Sequence, residues 1–135
     1  MQHELQGLRV LIIDDDADTR DLIETILSGA GAQVACAESV RQGFELLERA
    51  RPQVIISDIE MPEENGYSFL RNLRSVLDED GRMTPAIALT GCALPEDRER
   101  ALASGFNIHM TKPTTPEALL SALSTLAAGT VNEAG

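Results

Sequence analysis

The chain has 135 residues, with 22 acidic against 11 basic side chains and a formal net charge of −11. That length suits one domain, and a hydrophobic fraction of 43% argues against global disorder. The negative charge argues against a surface that binds nucleic-acid backbone. No apolar run approaches the roughly 20 residues of a membrane helix, and the first residues lack the basic and apolar regions of a secretory signal. We therefore expect a cytoplasmic protein in which Cys36 and Cys92 are free thiols.

Short apolar runs alternate with longer amphipathic segments along the chain. The predicted strands cover residues 8–13, 33–37, 54–57, 85–90 and 107–111. The predicted helices cover residues 17–30, a stretch opened by Ser39, residues 65–77, residues 95–104 and a stretch that starts at Thr115. Asp16 is the expected N-cap of the first helix, and Ser39 caps the second with Gln42 as a capping-box partner.

Five strand–helix units in strict alternation predict an α/β domain with a parallel sheet that helices cover on both faces. We expect this domain to span residues 1–127 and residues 128–135 to form a flexible C-terminal tail. Within these 135 residues we therefore expect no separate DNA-binding or catalytic output domain.

Chemically useful side chains stand where the predicted strands end. They are Asp14, Asp15 and Asp16 after strand one, Asp58 after strand three, Thr90 at the end of strand four and Lys112 after strand five. Ligands of open parallel sheets bind beyond the carboxyl ends of the strands. A single aspartate there is most often a turn or cap residue, but several carboxylates at one edge repel one another unless a cation is present. Mg²⁺, which prefers oxygen ligands, is the expected cation.

These segments resemble the response-regulator receiver family of two-component signalling. The motifs that carry the resemblance are Asp14-Asp15, residues 58–66 with the sequence DIEMPEENG, Thr90-Gly91 and Lys112-Pro113. They occur in the family's order at successive strand ends, over about residues 7–127. The resemblance implies a single doubly wound, flavodoxin-like (βα)5 domain with a parallel five-stranded sheet in the strand order 2-1-3-4-5.

The resemblance also implies a role for each site residue. Asp58 is expected to be the phosphoacceptor, with Lys112 and Thr90 contacting the oxygens of the transferred group. The implied ligands of Mg²⁺ (or Mn²⁺) are Asp15, Asp58, Asp14 through a bound water, and the backbone carbonyl of Glu60. The implied partner is a histidine kinase or a histidine phosphotransfer protein, with no direct contact to nucleic acid or membrane. The domain is then a signalling module that catalyses only its own phosphorylation and dephosphorylation.

One position departs from the common pattern of the family, and two others bear on how long the phosphoryl group lasts. His109 stands three residues before Lys112, where the family usually has an aromatic residue, and its surroundings are similar to receivers of hybrid histidine kinases. We expect His109 either to report the phosphorylation state or to be a strand-end histidine without a role. Glu60 and Cys92 occupy positions that often tune the lifetime of the phosphoryl group. We also expect a cis bond between Lys112 and Pro113.

Other interpretations of the same residues stay open at this point. Lys112 could form only a structural ion pair, and Asp16 only a helix cap. A haloacid-dehalogenase-like phosphatase also uses an aspartyl phosphate, but it would need Thr where this chain has Asp18, together with a substrate-specificity cap. A nucleotide-binding domain would need a glycine-rich loop after the first strand. A degenerate receiver acting as a scaffold is disfavoured by the intact acidic set.

Overall fold

The computed structural model of the chain describes residues 5–59, 84–91, 94–112 and 114–134. Its strands are β1 (Arg9–Ile13), β2 (Gln33–Ala37), β3 (Val54–Asp58), β4 (Ala86–Thr90) and β5 (Ile108–Thr111). Its helices are α1 (Ala17–Gly29), α2 (Val40–Ala50), α3 (Pro95–Ala103) and α4 (Pro116–Ala134). The helix predicted over residues 65–77 lies outside the described residues. None of the described helices is both long enough and apolar enough to cross a membrane.

The five strands form one sheet in the order β2-β1-β3-β4-β5, and every neighbouring pair is parallel. The expected doubly wound topology is therefore confirmed. The register sets Asp58 beside Leu89 and Thr90 beside Thr111. Because all strands point the same way, their carboxyl ends share one edge of the sheet, which we call the C-terminal edge.

Both faces of the sheet are covered, and β3 and β4 are buried along their whole length. Successive residues of a strand point to opposite faces of the sheet. In β1, Leu11 joins a core cluster with Val40 of α2, whereas Ile12 joins a second cluster with Leu27 of α1 and Leu119 of α4. The apolar runs that predicted the strands are continuous because the central strands face a core on both sides.

Side chains at the predicted caps bind the first turns of two helices. The Asp16 carboxylate accepts a hydrogen bond from the Thr19 backbone N–H at 3.3 Å and another from the Thr19 hydroxyl. Ser39 Oγ accepts from the Gln42 N–H at 3.1 Å. The return bond differs from the expected capping box, because Gln42 Oε1 accepts from the N–H of Glu38 at 2.7 Å. The segment before α2 is thereby fixed one residue further upstream.

The last helix is longer than the sequence predicted. Thr115 Oγ1 accepts from the Ala118 N–H at 3.1 Å and begins α4, which then continues to Ala134. The segment expected to be a tail from residue 128 is thus helical in its backbone up to Ala134. Alanine is the strongest helix former, and one interior glycine costs only about 1 kcal/mol, so local propensity carries the helix past Gly129. The domain boundary at residue 127 stays a prediction.

The contrast between two leucines of α1 tests this packing. Leu27 is fully buried, whereas Leu22 has 48% of its surface exposed. We expect Leu27→Ala to lower the free energy of unfolding by about 2–5 kcal/mol, because it leaves a cavity as well as losing apolar burial. Leu22→Ala is the matched control on the same helix, and its loss should stay below about 1 kcal/mol. Urea denaturation measures both, and equal losses would contradict the described burial of α1.

Candidate functional site

The side chains predicted from the strand ends meet at the C-terminal edge. Asp14 follows β1, Asp58 ends β3, Thr90 ends β4 and Lys112 follows β5. These four strands are consecutive neighbours in the sheet. The Lys112 N–H donates to the Thr90 carbonyl at 2.8 Å, which continues the pairing of β4 and β5 beyond the last strand residue. The sheet order thus brings together residues that lie up to 98 positions apart in the chain.

Three carboxylates form an acidic cluster at this edge. Asp14, Asp15 and Asp58 each have a carboxylate oxygen within 4.8 Å of those of the other two. Asp14 is fully buried and Asp58 is 4% exposed, whereas Asp15 faces solvent. Like charges this close disfavour one another. Hard oxygen donors on one exposed and two buried carboxylates fit a small divalent cation that keeps part of its water shell.

Lys112 lies against the buried part of the acidic cluster. Its Nζ is 3.0 Å from Asp14 Oδ2 and 3.4 Å from Asp58 Oδ2, and its side chain is 23% exposed. The approach to Asp14 Oδ2 is an ion pair, and this buried oxygen has no hydrogen-bond partner assigned to it among the described residues. It therefore keeps a lone pair that can face a cation or a bound water.

The charge of Lys112 persists over the whole neutral range. Burial lowers the pKa of this ammonium, but its close contact with Asp14 and the charges of Asp14 and Asp58 outweigh burial and raise the pKa above 10.5. A raised pKa means that the folded state binds the proton more tightly than the unfolded chain does. The stability contributed by this ammonium is therefore fully present below pH 10.5 and is lost only as the pH rises through the higher folded pKa.

Asp14 is held through its backbone as well as its carboxylate. Its N–H donates to the Ala37 carbonyl at the end of β2 at 3.0 Å, and its Oδ1 accepts from the Asp16 N–H at 2.9 Å. Its carbonyl accepts from Arg20 Nη1 at 2.7 Å. The sequence analysis missed Arg20. Its only signal there was a cation one turn into a helix that starts beside three aspartates.

Thr90 and Gly91 complete the described edge. Thr90 is 1% exposed and is the last residue of β4. A Cβ built on Gly91 would meet nothing within 4 Å, so space is open beside it.

Asp16 and His109, for which the sequence left two roles open, both lie among the described residues. Asp16 is a helix cap, and its hydrogen bond from the Thr19 hydroxyl lowers the pKa of its carboxyl. His109 pairs with Ala88 on the neighbouring strand, is partly buried, and its buried Nε2 has no hydrogen-bond partner among the described residues. Glu60, Cys92 and Pro113 lie outside the described residues, so the roles expected for them stay predictions.

Cys36 is a free thiol, as expected. Its Sγ donates to Glu24 Oε1 at 3.7 Å. Burial, and then the charge of Glu24, raise the pKa of Cys36 to about 11. The thiol is therefore protonated at neutral pH, and it is a poor nucleophile there.

Comparisons of the sequence and of the structure with known proteins agree on one family. The sequence model described as response regulator receiver domain matches residues 10–124. An uncharacterised 14.6 kDa protein of Leptolyngbya boryana is 42% identical over 116 residues, which cover 86% of this chain and 87% of that protein. Hybrid signal transduction histidine kinase D of Dictyostelium discoideum is 34% identical over 115 residues, which cover 81% of this chain and 7% of the kinase.

A solved structure agrees with the sequence matches. Chemotaxis protein CheY4 of Vibrio cholerae has 32% sequence identity and a TM-score of 0.82, with 89% of this chain and 98% of that chain covered. The family match extends from the second residue of β1 into α4, and so includes every described strand that contributes to the C-terminal edge. The chain therefore belongs to the family of response regulator receiver domains and is a receiver domain of two-component signalling.

Proposed function

We propose that this receiver accepts a phosphoryl group on Asp58, in a reaction that depends on Mg²⁺ or Mn²⁺ and changes how the domain binds its partners. The observation that carries the proposal is the setting of the Asp58 carboxylate. It ends the central strand β3, belongs to the acidic cluster and lies 3.4 Å from the Lys112 ammonium. A carboxylate beside a fixed cation and a cation-binding cluster suits acceptance of a charged phosphoryl group.

The transfer itself asks little covalent chemistry of the protein. An oxygen of Asp58 attacks the phosphorus of a phosphohistidine, and the new O–P bond forms as the P–N bond breaks. The electron pair of the broken bond stays on the donor's imidazole nitrogen. What the domain must provide is alignment and positive charge opposite the phosphoryl oxygens.

The site residues divide this work between them. Asp15 and Asp58 would hold the divalent cation directly, Asp14 through a water, and Glu60 through its backbone carbonyl. Once bound, the cation supplies charge neutralisation to the phosphoryl oxygens. Lys112 faces the same oxygens from the β5 side, and the Thr90 hydroxyl donates to one of them. Asp58 is almost fully buried, which limits the access of water to the acyl phosphate.

The donor is proposed to be a histidine kinase or a histidine phosphotransfer protein. A similar segment occurs within a protein named as a hybrid histidine kinase, which supports a phosphohistidine as the source. Acyl-phosphate chemistry is then confined to Asp58 itself, and we expect no turnover of external phosphate esters. The net charge of −11 gives no reason to expect direct binding to nucleic acid.

Replacement of Asp58 tests the acceptor directly. A small-molecule phosphodonor with Mg²⁺ should label the wild type, whereas Asp58→Asn should take up no label because the amide is not a nucleophile of this kind. Chelation of the cation should also abolish labelling. Asp18→Asn is the matched control, because Asp18 is an exposed acid of α1 outside the acidic cluster. Intact-mass measurement detects the added phosphoryl group, and undiminished labelling of Asp58→Asn would refute the assignment.

Replacement of Lys112 separates a role in transfer from a structural ion pair. Lys112→Met removes the ammonium that faces Asp14 and Asp58, so the labelling rate at saturating Mg²⁺ should fall by roughly 10²–10³-fold. Cation affinity should hold or rise, since a competing positive charge is gone. The rate is followed by mass spectrometry and the affinity by calorimetry. A variant that folds and labels at the wild-type rate would leave Lys112 with a structural role only.

His109 is proposed to carry the phosphorylation state to α3. It lies on β5, which α3 contacts. Its register partner Ala88 is two residues from Thr90 on β4, so His109 and Thr90 lie on the same face of the sheet. Movement of Thr90 toward a phosphoryl oxygen would open space for the imidazole, whose Nε2 has no described partner.

Hydrogen exchange tests this route without a known partner. A phosphoryl mimic should change the amide exchange of α3 in the wild type and in Met110→Ala, a control on β5 whose side chain packs against the other core cluster. The change should be lost in His109→Ala, because the imidazole that would enter the space left by Thr90 is then missing. If His109→Ala shows the wild-type change, the histidine is only a strand-end residue and the signal leaves by another element.

A further inference from the structure

Arg20 binds the backbone of the acidic cluster without belonging to it. We propose that Arg20 is a positioning residue, whose hydrogen bond to the Asp14 carbonyl fixes the peptide that carries Asp15 and thereby raises the affinity of the cluster for a divalent cation. This inference rests on the proposed function, since it assumes that the acidic cluster binds such a cation.

The first support is the burial of the carbonyl that Arg20 contacts. Asp14 is fully buried, and a buried carbonyl without a donor costs roughly 1–3 kcal/mol. Arg20 Nη1 donates to this oxygen at 2.7 Å from the first turns of α1, a short distance typical of a charged donor. The Arg20 backbone N–H is itself bound to the Asp16 carbonyl at 3.1 Å, so the arginine is anchored to the same turn.

The second support is the geometry of the peptide bond. The Asp14 carbonyl, the Asp15 N–H and the two flanking Cα atoms lie in one plane. Fixing the direction of that carbonyl therefore fixes where the Cα of Asp15 lies. Asp15 depends on this restraint more than its neighbours do, because it is exposed and no described side chain holds its carboxylate, whereas the Asp14 carboxylate is bound by Asp16 and Lys112.

The charge of Arg20 by itself predicts the opposite effect on cation affinity, so the two explanations can be distinguished. A guanidinium near the acidic cluster repels an incoming divalent cation, so removal of its charge should strengthen cation binding. Loss of the positioning bond should weaken it, because groups that orient the ligands of a metal commonly change affinity by tenfold or more. The sign of the change therefore identifies the dominant effect.

The test measures Mn²⁺ binding to the full chain by calorimetry, with no phosphodonor present. Arg20→Met should bind Mn²⁺ about tenfold more weakly than the wild type. Arg20→Lys, which keeps both the charge and a donor, should restore most of the affinity. Arg49→Met is the control for charge, because Arg49 is an exposed arginine in the last turn of α2, and α2 starts at the C-terminal edge and runs away from it. Its affinity should equal that of the wild type.

A second readout uses the metal-free protein. Amide exchange at Asp15 and Asp16 should be faster in Arg20→Met than in the wild type or in Arg20→Lys, because the turn has lost its restraint. If circular dichroism shows that Arg20→Met does not fold, Arg20→Gln replaces it. The expectation is the same, because the glutamine side chain is shorter than arginine and its amide does not reach as far as the guanidinium.

Each outcome bears on one proposal or the other. Equal or tighter Mn²⁺ binding by Arg20→Met, or an equally weak Arg20→Lys, would overturn the positioning role. Failure of the wild type to bind Mn²⁺ any better than Asp58→Asn would instead overturn the proposed function. The two failures are distinguishable because the wild-type titration is read before any Arg20 variant.

Discussion

The rest of this domain depends on the contact between two buried carboxylates and one ammonium. Asp14 and Asp58 are almost without solvent contact, and burying an ionised carboxylate without a partner costs several kcal/mol. Lys112 offsets that cost for both, at 3.0 and 3.4 Å. The arrangement holds only if β1, β3 and β5 end at the same level, so the parallel register of the sheet is an electrostatic requirement as well as a packing result.

The core is built to hold that register. The strands β3 and β4, which lie between β1 and β5 in the sheet, are buried along their whole length, and closely packed interiors resist small displacements. Among the described carboxylates of the acidic cluster, only Asp15 is exposed. It lies in a turn that is held by the hydrogen bond from Arg20 and by the cap at Asp16. A buried sheet edge with one exposed carboxylate suits the proposed uptake of a cation and a phosphoryl group.

Much of this could be predicted from the sequence, because the decisive signals are local. Apolar runs marked each described strand to within one residue, and Ser39 marked the start of α2 by its hydroxyl. The strand order came from family resemblance, since alternation alone fixes no order. The contact of Arg20 was not predictable, nor was the lack of a partner for His109 Nε2 among the described residues, because both depend on which atoms become buried after folding. The extension of α4 to Ala134 was missed because polar termini resemble tails, although alanine-rich segments favour helix.

Lys112 is the only lysine in the chain. Every other basic side chain is an arginine or a histidine, which amine chemistry leaves untouched. Reductive methylation with an isotope-labelled reagent would thus place a magnetic-resonance probe at the centre of the acidic edge, apart from one on any terminal amine. Methylation preserves the positive charge of lysine, so the ion pairs with Asp14 and Asp58 can persist. The composition of the chain therefore gives this cation a spectroscopic signature of its own.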